Sequence, residues 1–167
     1  MDNNKGYKMS QAQPLDNPRF ADHPEFLPSL TPTSILKMGA FGGHYFGSRA
    51  SAKFQTHAAD LPPEWFDGLL LSNQYDRINN YFGVKCGKDF DWWTQKGLMH
   101  VDDPLGWFHW YCRFSMGRRH ADDARQIARW SHFRRWETNI LHTVPGEINR
   151  RPAVRQSLMH WAYNPFI

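Results

Sequence analysis

The sequence predicts a mainly α-helical fold, in which one compact domain of short helices surrounds a central apolar helix and follows an irregular N-terminal arm. Three observations lead to this prediction. Short apolar segments are separated by glycines and prolines where helices start and stop. Between residues 107 and 116, seven of ten side chains are aromatic, large and apolar, or cysteine. Hydrophobic residues make up 41% of the 167 residues and aromatic residues 16%, enough for one substantial core.

Residues 1–29 form the predicted arm, and residues 30–167 form the predicted helical domain. The arm is polar, contains four prolines and has no sustained periodicity. We expect it to be disordered or draped over the domain. The domain's first helix is predicted after Thr31, because a threonine N-cap followed by proline at the first helical position is a common start signal and Gly39 is a stop.

The next elements are short. The Gly-rich segment 40–48 is predicted to be a tight loop, and Asp60 is a possible cap for a helix through PPEWF. No element is predicted for residues 72–87. Asp89 is expected to begin a short helix that ends before Gly97, because acids at its start and a lysine at its end match the helix dipole.

The stretch DDPLGWFHWYCRFSMGRR predicts the central helix, residues 104–116. Asp103 is expected as its N-cap, Pro104 at its first position and Gly117 as its stop. Apolar side chains surround the axis of this helix instead of forming one stripe, which is typical of a buried helix. The polar edge formed by His109 and Arg113, at i and i+4, is the part of it open to a chemical role.

Two further helices are predicted at residues 121–141 and 152–163. The first begins with two acids in its first turn, and the second ends before Asn164-Pro165. At 100° per residue, one sector of roughly 60° on the first helix carries a basic and aromatic face. The residues of that face are Arg125, Arg129, His132 and Trp136.

Positive charge is concentrated toward the C-terminus. The net charge is +4, and residues 113–155 contain ten arginines and no lysine against four acids. Because the arginine fork suits phosphate and ring stacking, the leading hypothesis is a nucleic-acid-binding or nucleic-acid-associated protein. It would use an Arg-rich C-terminal helical surface, with affinity that falls steeply with salt. The predicted contact residues are Arg118, Arg119, Arg125, Arg129, Arg134, Arg135, Trp136, Arg150, Arg151 and Arg155, with Trp130 as a second ring.

Other interpretations of the same residues stay open. The arginines are equally compatible with solvated helix faces in which they pair with nearby acids, or with a buried arginine–carboxylate network. A small enzyme acting on a nucleotide, a base or another anionic substrate would draw acid–base groups from His44, His100, Asp102 and His109. A structural or protein-interaction module would use the arginines and tryptophans as contact residues for a protein partner.

Motifs for cofactors, metals and membranes are absent from the sequence. No zinc-type Cys/His spacing, phosphate-binding glycine loop or nucleophile elbow occurs, so we expect neither metal nor cofactor. Cys86 and Cys112 are expected to be reduced thiols. No run of about 18 apolar residues is present, and the N-terminal residues lack the apolar core of a secretory signal. A cytoplasmic location without membrane association is therefore expected.

Several motifs resemble a family of small uncharacterised proteins with members in viruses or phages and in diverse eukaryotes. The resemblance covers about residues 30–163. It is carried by SILKMGAFGGHYF, NYFGVK, DDPLGWFHWYCRFSMGRR, DDARQIARW and HWAY. It implies no particular activity, fold or functional residue, and its viral members favour a nucleic-acid context.

Overall fold

The computed structural model describes residues 20–167 and confirms the mainly α-helical fold. Seven α-helices are present in this range: α1 (Pro32–Met38), α2 (Ala52–His57), α3 (Phe90–Gln95), α4 (Trp107–Ser115), α5 (Asp123–Ser131), α6 (Arg134–Thr143) and α7 (Pro152–His160). Short 3-10 helices occupy Phe41–Gly43, Pro63–Phe66 and Arg77–Asn79. β-pairing within the described residues is limited to an isolated antiparallel bridge between His100 and Asp103.

Two of the predicted helix starts are confirmed. The Thr31 side chain accepts a hydrogen bond from the Ser34 amide at the start of α1, and the Asp89 carboxylate accepts one from the Trp92 amide at the start of α3. The predicted cap at Asp60 is wrong. PPEWF forms a 3-10 turn without a side-chain cap, and the Asp60 carboxylate instead accepts hydrogen bonds from Arg113.

The central helix α4 begins three residues later than predicted. Gly106 precedes its first residue with φ 104° and ψ −159°, a conformation that glycine adopts without strain. A side chain at this position would also lie 3.1 Å from the Met99 sulfur. Asp103 does not cap the helix, because its fully buried carboxylate is bonded to arginines instead. The stop at Gly117 is confirmed, with φ 103° and an amide bonded to the Phe114 carbonyl.

The side chains of α4 form the centre of the core. Trp110, Tyr111 and Phe114 are fully buried. The polar tips of its tryptophans and its tyrosine all find acceptors, as is usual for buried polar groups. Trp110 Nε1 donates to the Asp123 carboxylate at 2.9 Å, Trp107 Nε1 donates to the Gln126 carbonyl at 3.1 Å, and the Tyr111 hydroxyl donates to the Leu30 carbonyl at 2.6 Å. These bonds fix α4 against α5 and against the segment just before α1.

The part of the predicted arm that the structure describes packs on the core. Phe26 is 1% exposed, and its ring lies 4.9 Å from Trp130 and 5.5 Å from Phe114, centre to centre. The Asp22 carboxylate accepts two hydrogen bonds from Arg119. Residues 20–29 are therefore draped over the domain, and residues 1–19 lie outside the described part.

The predicted helix 121–141 is two helices, with a break between α5 and α6. The break lies at His132 and Phe133, just after Trp130, whose carbonyl accepts both the Tyr163 hydroxyl at 2.8 Å and the Phe133 amide at 3.0 Å. The second bond spans three residues instead of four, so the chain tightens there. The Phe133 ring then stacks on Trp161 at 4.1 Å. As a result, Arg125 and Arg129 do not share a continuous helical face with Trp136.

The last helix, α7, also ends three residues earlier than predicted. Ala162 takes a left-handed conformation with φ 61°, and the Tyr163 amide bonds back to the Leu158 carbonyl at 2.9 Å. This is the hydrogen bond of a Schellman helix end.

None of the helices in residues 20–167 has both the length and the apolar character needed to cross a bilayer.

Candidate functional site

Most of the predicted nucleic-acid contacts are engaged in ion pairs or hydrogen bonds within the fold. Arg118 forms an ion pair with the buried carboxylate of Asp103, Arg119 with Asp22, and Arg125 with Asp122. Each of these guanidiniums bonds both oxygens of its partner. These three arginines have the arginine–carboxylate pairing that the sequence left open as an alternative.

Arg155 cannot contact a phosphate as the sequence analysis predicted. Its side chain is fully buried and donates to five backbone carbonyls, which belong to Val144, Glu147, Arg150, Pro165 and Ile167. The guanidinium ties α7 to the preceding loop and to the C-terminal residues. Trp130 is also unavailable for stacking on a base, because it is 1% exposed and stacks on Tyr163.

Apart from Arg129 on α5, the remaining predicted contacts lie on α6 and in the loop before α7. Arg134, Arg135, Arg150 and Arg151 are exposed, and Trp136 is exposed to 36%. Arg150 pairs with Glu147 at 3.5 Å, while the other three form no ion pair with any residue of the range 20–167. The Arg135 guanidinium lies over the Trp136 ring at 5.5 Å. We call Arg134, Arg135, Trp136 and Arg151 the α6 surface.

The four candidate acid–base residues do not share one site. His109 is fully buried on α4, with both ring nitrogens lacking a hydrogen-bond partner, and burial lowers its pKa to about 4. His100 and Asp102 lie beside each other in the turn before α4, 3.6 Å apart. His44 lies in the Gly-rich segment and lines an aromatic cavity.

That cavity has a volume of about 250 Å³, near the lower end for ligand pockets. Its walls come from the Gly-rich segment, the segment before α3, α3 itself, the start of α4, α5 and the end of α7. Eight aromatic rings line it: Phe41, Tyr45, Tyr75, Phe90, Trp93, Trp107, Phe108 and Trp161. Such walls accept the two faces of a flat ring.

Glycine and a buried amide position the Gly-rich wall. The Gly42 amide donates to the Asn80 side chain at 2.8 Å, and Asn80 in turn donates to the Tyr75 hydroxyl at 2.7 Å. Gly42 has φ 59°, and a side-chain carbon there would lie 2.5 Å from the Tyr75 ring. Glycine at this position therefore lets Tyr75 pack against the loop that carries His44.

The charges around the cavity are strongly unbalanced. Four cationic side chains line it, and within the described residues a single carboxylate, Asp89, faces them while it caps α3. The cations are Lys53, Lys85, Lys88 and Arg129. None of the four forms an ion pair with a carboxylate in the part of the chain that the structure describes. The site therefore has a positive potential that favours an anion.

Arg129 is the most constrained of these cations. Its guanidinium lies 5.5 Å from the Trp93 ring centre and 5.6 Å from that of Trp161, and it donates to the Leu98 carbonyl and the Gln126 side chain. Burial, with the nearby charge of Arg125, lowers its pKa to about 10, so it stays charged at neutral pH. A half-buried cation without a carboxylate partner favours an anionic ligand.

His44 is a neutral base in the cavity wall. Its Nδ1 lies 2.7 Å from the Phe41 carbonyl, which can only accept, so Nδ1 carries the proton. The lone pair is therefore on Nε2. Burial lowers the pKa of His44, and the neighbouring charges of Lys53 and Lys85 lower it further. A group in this state accepts a proton or a hydrogen bond from a bound ligand.

Cys86 and His160 also meet at the cavity. Cys86 Sγ lies 3.5 Å from His160 Nδ1, and His160 Nε2 accepts the Phe41 amide at 3.1 Å. That bond places the histidine proton on Nδ1, so His160 donates to the sulfur and does not act as its base. Burial raises the pKa of Cys86 to about 11 and lowers that of His160 to about 3. The pair is a neutral thiol and a neutral imidazole.

The raised pKa of the Cys86 thiol predicts how this residue reacts with iodoacetamide. Because the thiolate is the reactive form, alkylation of the native protein should be slow at pH 7 and rise about tenfold per pH unit up to pH 10. Mass spectrometry of the Cys86 peptide measures the rate. The fully buried Cys112 serves as the internal control and should react only after unfolding. A rate for Cys86 that levels off below pH 9 would contradict the raised pKa.

Sequence reasoning identified His44 and Arg129 but not the cavity that brings them together. Lys53, Cys86, Trp93 and His160 come from separate segments, and no local spacing relates them. The GAFGGHYFG motif was the one available signal, because its glycines indicated close packing around the histidine.

Comparisons with known proteins found no match among family models, curated proteins or solved structures.

Proposed function

We propose that the chain binds a small planar anion, of mononucleotide size or smaller, in the aromatic cavity. The single observation that carries this proposal is Arg129, a charged group that lies against the rings of Trp93 and Trp161 and forms no ion pair with a carboxylate of residues 20–167. A ligand with a flat ring would stack on the aromatic walls, and its acidic group would neutralise the cations. This is the anionic-ligand alternative of the sequence analysis, with a different set of residues.

The cations of the cavity would contact the acidic group of the ligand, and the aromatic rings would contact its flat ring. Lys53 is half-buried and donates to the His44 carbonyl at 3.1 Å, which leaves further donors on its ammonium for a ligand. In the first turn of α4 the His109 amide donates to the Tyr45 hydroxyl at 3.1 Å, and Gly106 offers no side chain to cap the N–H groups of Trp107 and Phe108. Catalysis on the bound ligand would use His44 Nε2 as the proton acceptor, as in the proposed enzyme acting on a nucleotide or base.

Titration by tryptophan fluorescence tests the binding proposal, because three tryptophans line the cavity. The probes are AMP and UMP, the matching neutral nucleosides, and benzoate. We expect the monophosphates to quench with saturation and the nucleosides to bind at least tenfold more weakly. Arg129→Met should lose roughly tenfold to a hundredfold in affinity, the value of one charge-assisted hydrogen bond.

The matched control is Arg135→Met, which removes an exposed arginine from the α6 surface. It should leave the affinity unchanged. Equal binding of nucleosides and monophosphates, or wild-type affinity in Arg129→Met, would contradict the proposal. Binding of benzoate with the affinity of AMP would assign the site to small aromatic acids in place of nucleotides.

A second function, association with single-stranded nucleic acid, is favoured by the α6 surface. Three exposed arginines of this surface form no ion pair with any described residue: Arg134, Arg135 and Arg151. They lie beside the ring of Trp136, which is 36% exposed. Cations that track phosphates next to a stacking ring are typical of single-strand binding. This is a reduced form of the surface that the sequence analysis proposed.

Salt dependence tests this second proposal. For a fluorescent oligonucleotide, the slope of log affinity against log salt should decrease by about 2 when Arg134, Arg135 and Arg151 are replaced together by alanine. Arg49→Ala with Arg77→Ala, two arginines from other segments, is the control and should weaken binding less. Absence of salt-dependent binding in the wild type would eliminate the α6 surface as a nucleic-acid site.

A further inference from the structure

A group of three potential metal ligands lies apart from the cavity. One ligand atom each from His100, Asp102 and His120 lies within 4.8 Å of the other two. The two imidazoles stack with ring centres 5.2 Å apart and planes inclined by 26°. None of the three residues lines the aromatic cavity. Two imidazoles and one carboxylate are a common donor set for divalent transition metals.

The local charge balance sets Asp102 apart from its neighbours. Asp103 is paired with Arg118, and Asp122 with Arg125. The Asp102 carboxylate forms no ion pair with an arginine or lysine in the range 20–167 and lies 3.6 Å from His100 Nδ1, whereas Arg113 bonds only the Asp102 backbone carbonyl. The arginine charges nearby are thus matched by other carboxylates. Asp102 supplies an unmatched negative charge beside two imidazoles.

The backbone and a buried carboxylate position these ligands. The Asp103 amide bonds the His100 carbonyl at 3.1 Å, which closes the turn that presents His100 and Asp102. His120 Nε2 lies 3.3 Å from the buried Asp103 carboxylate, and its Nδ1 accepts the Asp122 amide at 2.9 Å. Histidine ligands in metal sites are usually oriented by such a carboxylate. Metal binding replaces one of the two His120 contacts.

The metal must also be able to reach the group. The Asp102 side chain is 62% exposed, that of His100 32% and that of His120 19%. From this arrangement we propose that His100, Asp102 and His120 bind one divalent transition-metal ion, such as Zn²⁺ or Co²⁺. Three protein ligands leave coordination positions open for water or an anion, unlike a closed structural zinc site.

Calorimetry with ZnCl₂ tests the proposal on the full chain after treatment with EDTA, and the visible absorption of Co²⁺ gives a second measurement. We expect one ion per chain. Asp102→Asn and His100→Gln should each weaken binding roughly tenfold or more. His142→Gln, which removes an exposed histidine on α6, is the matched control and should keep wild-type affinity.

Two results would overturn the proposal: no saturable binding of either ion, or wild-type affinity in Asp102→Asn. Asp102 is exposed, so its isosteric replacement should leave the fold intact, which circular dichroism checks. A tetrahedral or five-coordinate Co²⁺ spectrum that disappears in His100→Gln would confirm histidine ligation. Metal binding is independent of AMP binding, so failure of one proposal leaves the other standing.

Discussion

Replacing Asp103 with asparagine should lower the free energy of unfolding by about 3–5 kcal/mol. The Asp103 carboxylate is fully buried and accepts hydrogen bonds from Arg113 and Arg118, with His120 at 3.3 Å. Asparagine has nearly the same shape but no charge, so Arg118 loses its counterion and Arg113 keeps only Asp60. Breaking a buried pair in this way costs far more than removing an exposed charge.

Urea unfolding measures the effect, and the adjacent residue supplies the control. Asp102→Asn changes an exposed carboxylate by the same chemistry and should shift the free energy of unfolding by no more than about 0.5 kcal/mol. A loss below about 1 kcal/mol in Asp103→Asn would show that the cluster around it is not essential to the fold.

The same cluster predicts the protein's response to acid. Burial raises the pKa of Asp103, but the hydrogen bonds and charge of Arg118 outweigh it, so the pKa lies below its usual value. The pKa of Asp122 is lowered in the same way by Arg125. Such carboxylates stabilise the fold above their unfolded pKa of about 4, and this stabilisation is lost as the pH falls through the lower folded values. Asp103→Asn should therefore unfold with a shallower dependence on pH below 4.

Replacing Arg155 with methionine should also lower the free energy of unfolding by about 3–5 kcal/mol. The buried guanidinium donates to five carbonyls, and methionine fills much of its volume without donating to any of them. Unsatisfied buried carbonyls are costly. The C-terminal residues should then be released, which raises the rate of carboxypeptidase digestion as well as the sensitivity to urea.

Arg151→Met is the matched control for Arg155. Arg151 is exposed and donates to the side chains of Asn139 and Thr143, so its replacement should cost less than about 1 kcal/mol. Equal stability of the two variants would mean that the carbonyl contacts of Arg155 contribute little. That result would also reopen the surface role that the sequence analysis gave to this residue.

The sequence predicted the helical class because its signals are local. Thr31 with Pro32, Asp89 and Gly117 each act within one turn of their helix, and these boundaries are confirmed. The wrong boundaries depend on distant partners. Helix 121–141 divides because the Tyr163 hydroxyl bonds the Trp130 carbonyl from 33 residues away. Asp103 fails as a cap because Arg118 engages its carboxylate after the chain has folded.

The candidate site was less accessible to sequence reasoning than the fold. Arginine enrichment does not distinguish a guanidinium that binds a ligand from one that satisfies buried carbonyls, as Arg155 does. Arg129 was identified for phosphate contacts on a surface, whereas its position against Trp93 and Trp161 depends on bringing α3 and the end of α7 next to α5. Cys86 and His160 are 74 residues apart in the chain and meet only in the folded protein.

The most direct test of the central claim measures whether an anion occupies the cavity. Cys86 lines that cavity and serves as its reporter. At pH 9, where about 1% of a thiol with pKa near 11 is ionised, saturating AMP should slow alkylation of Cys86 in the wild type about tenfold or more. Adenosine at the same concentration should not protect it, nor should AMP protect Arg129→Met. Unchanged alkylation in the presence of AMP, or equal protection by adenosine, would contradict the account.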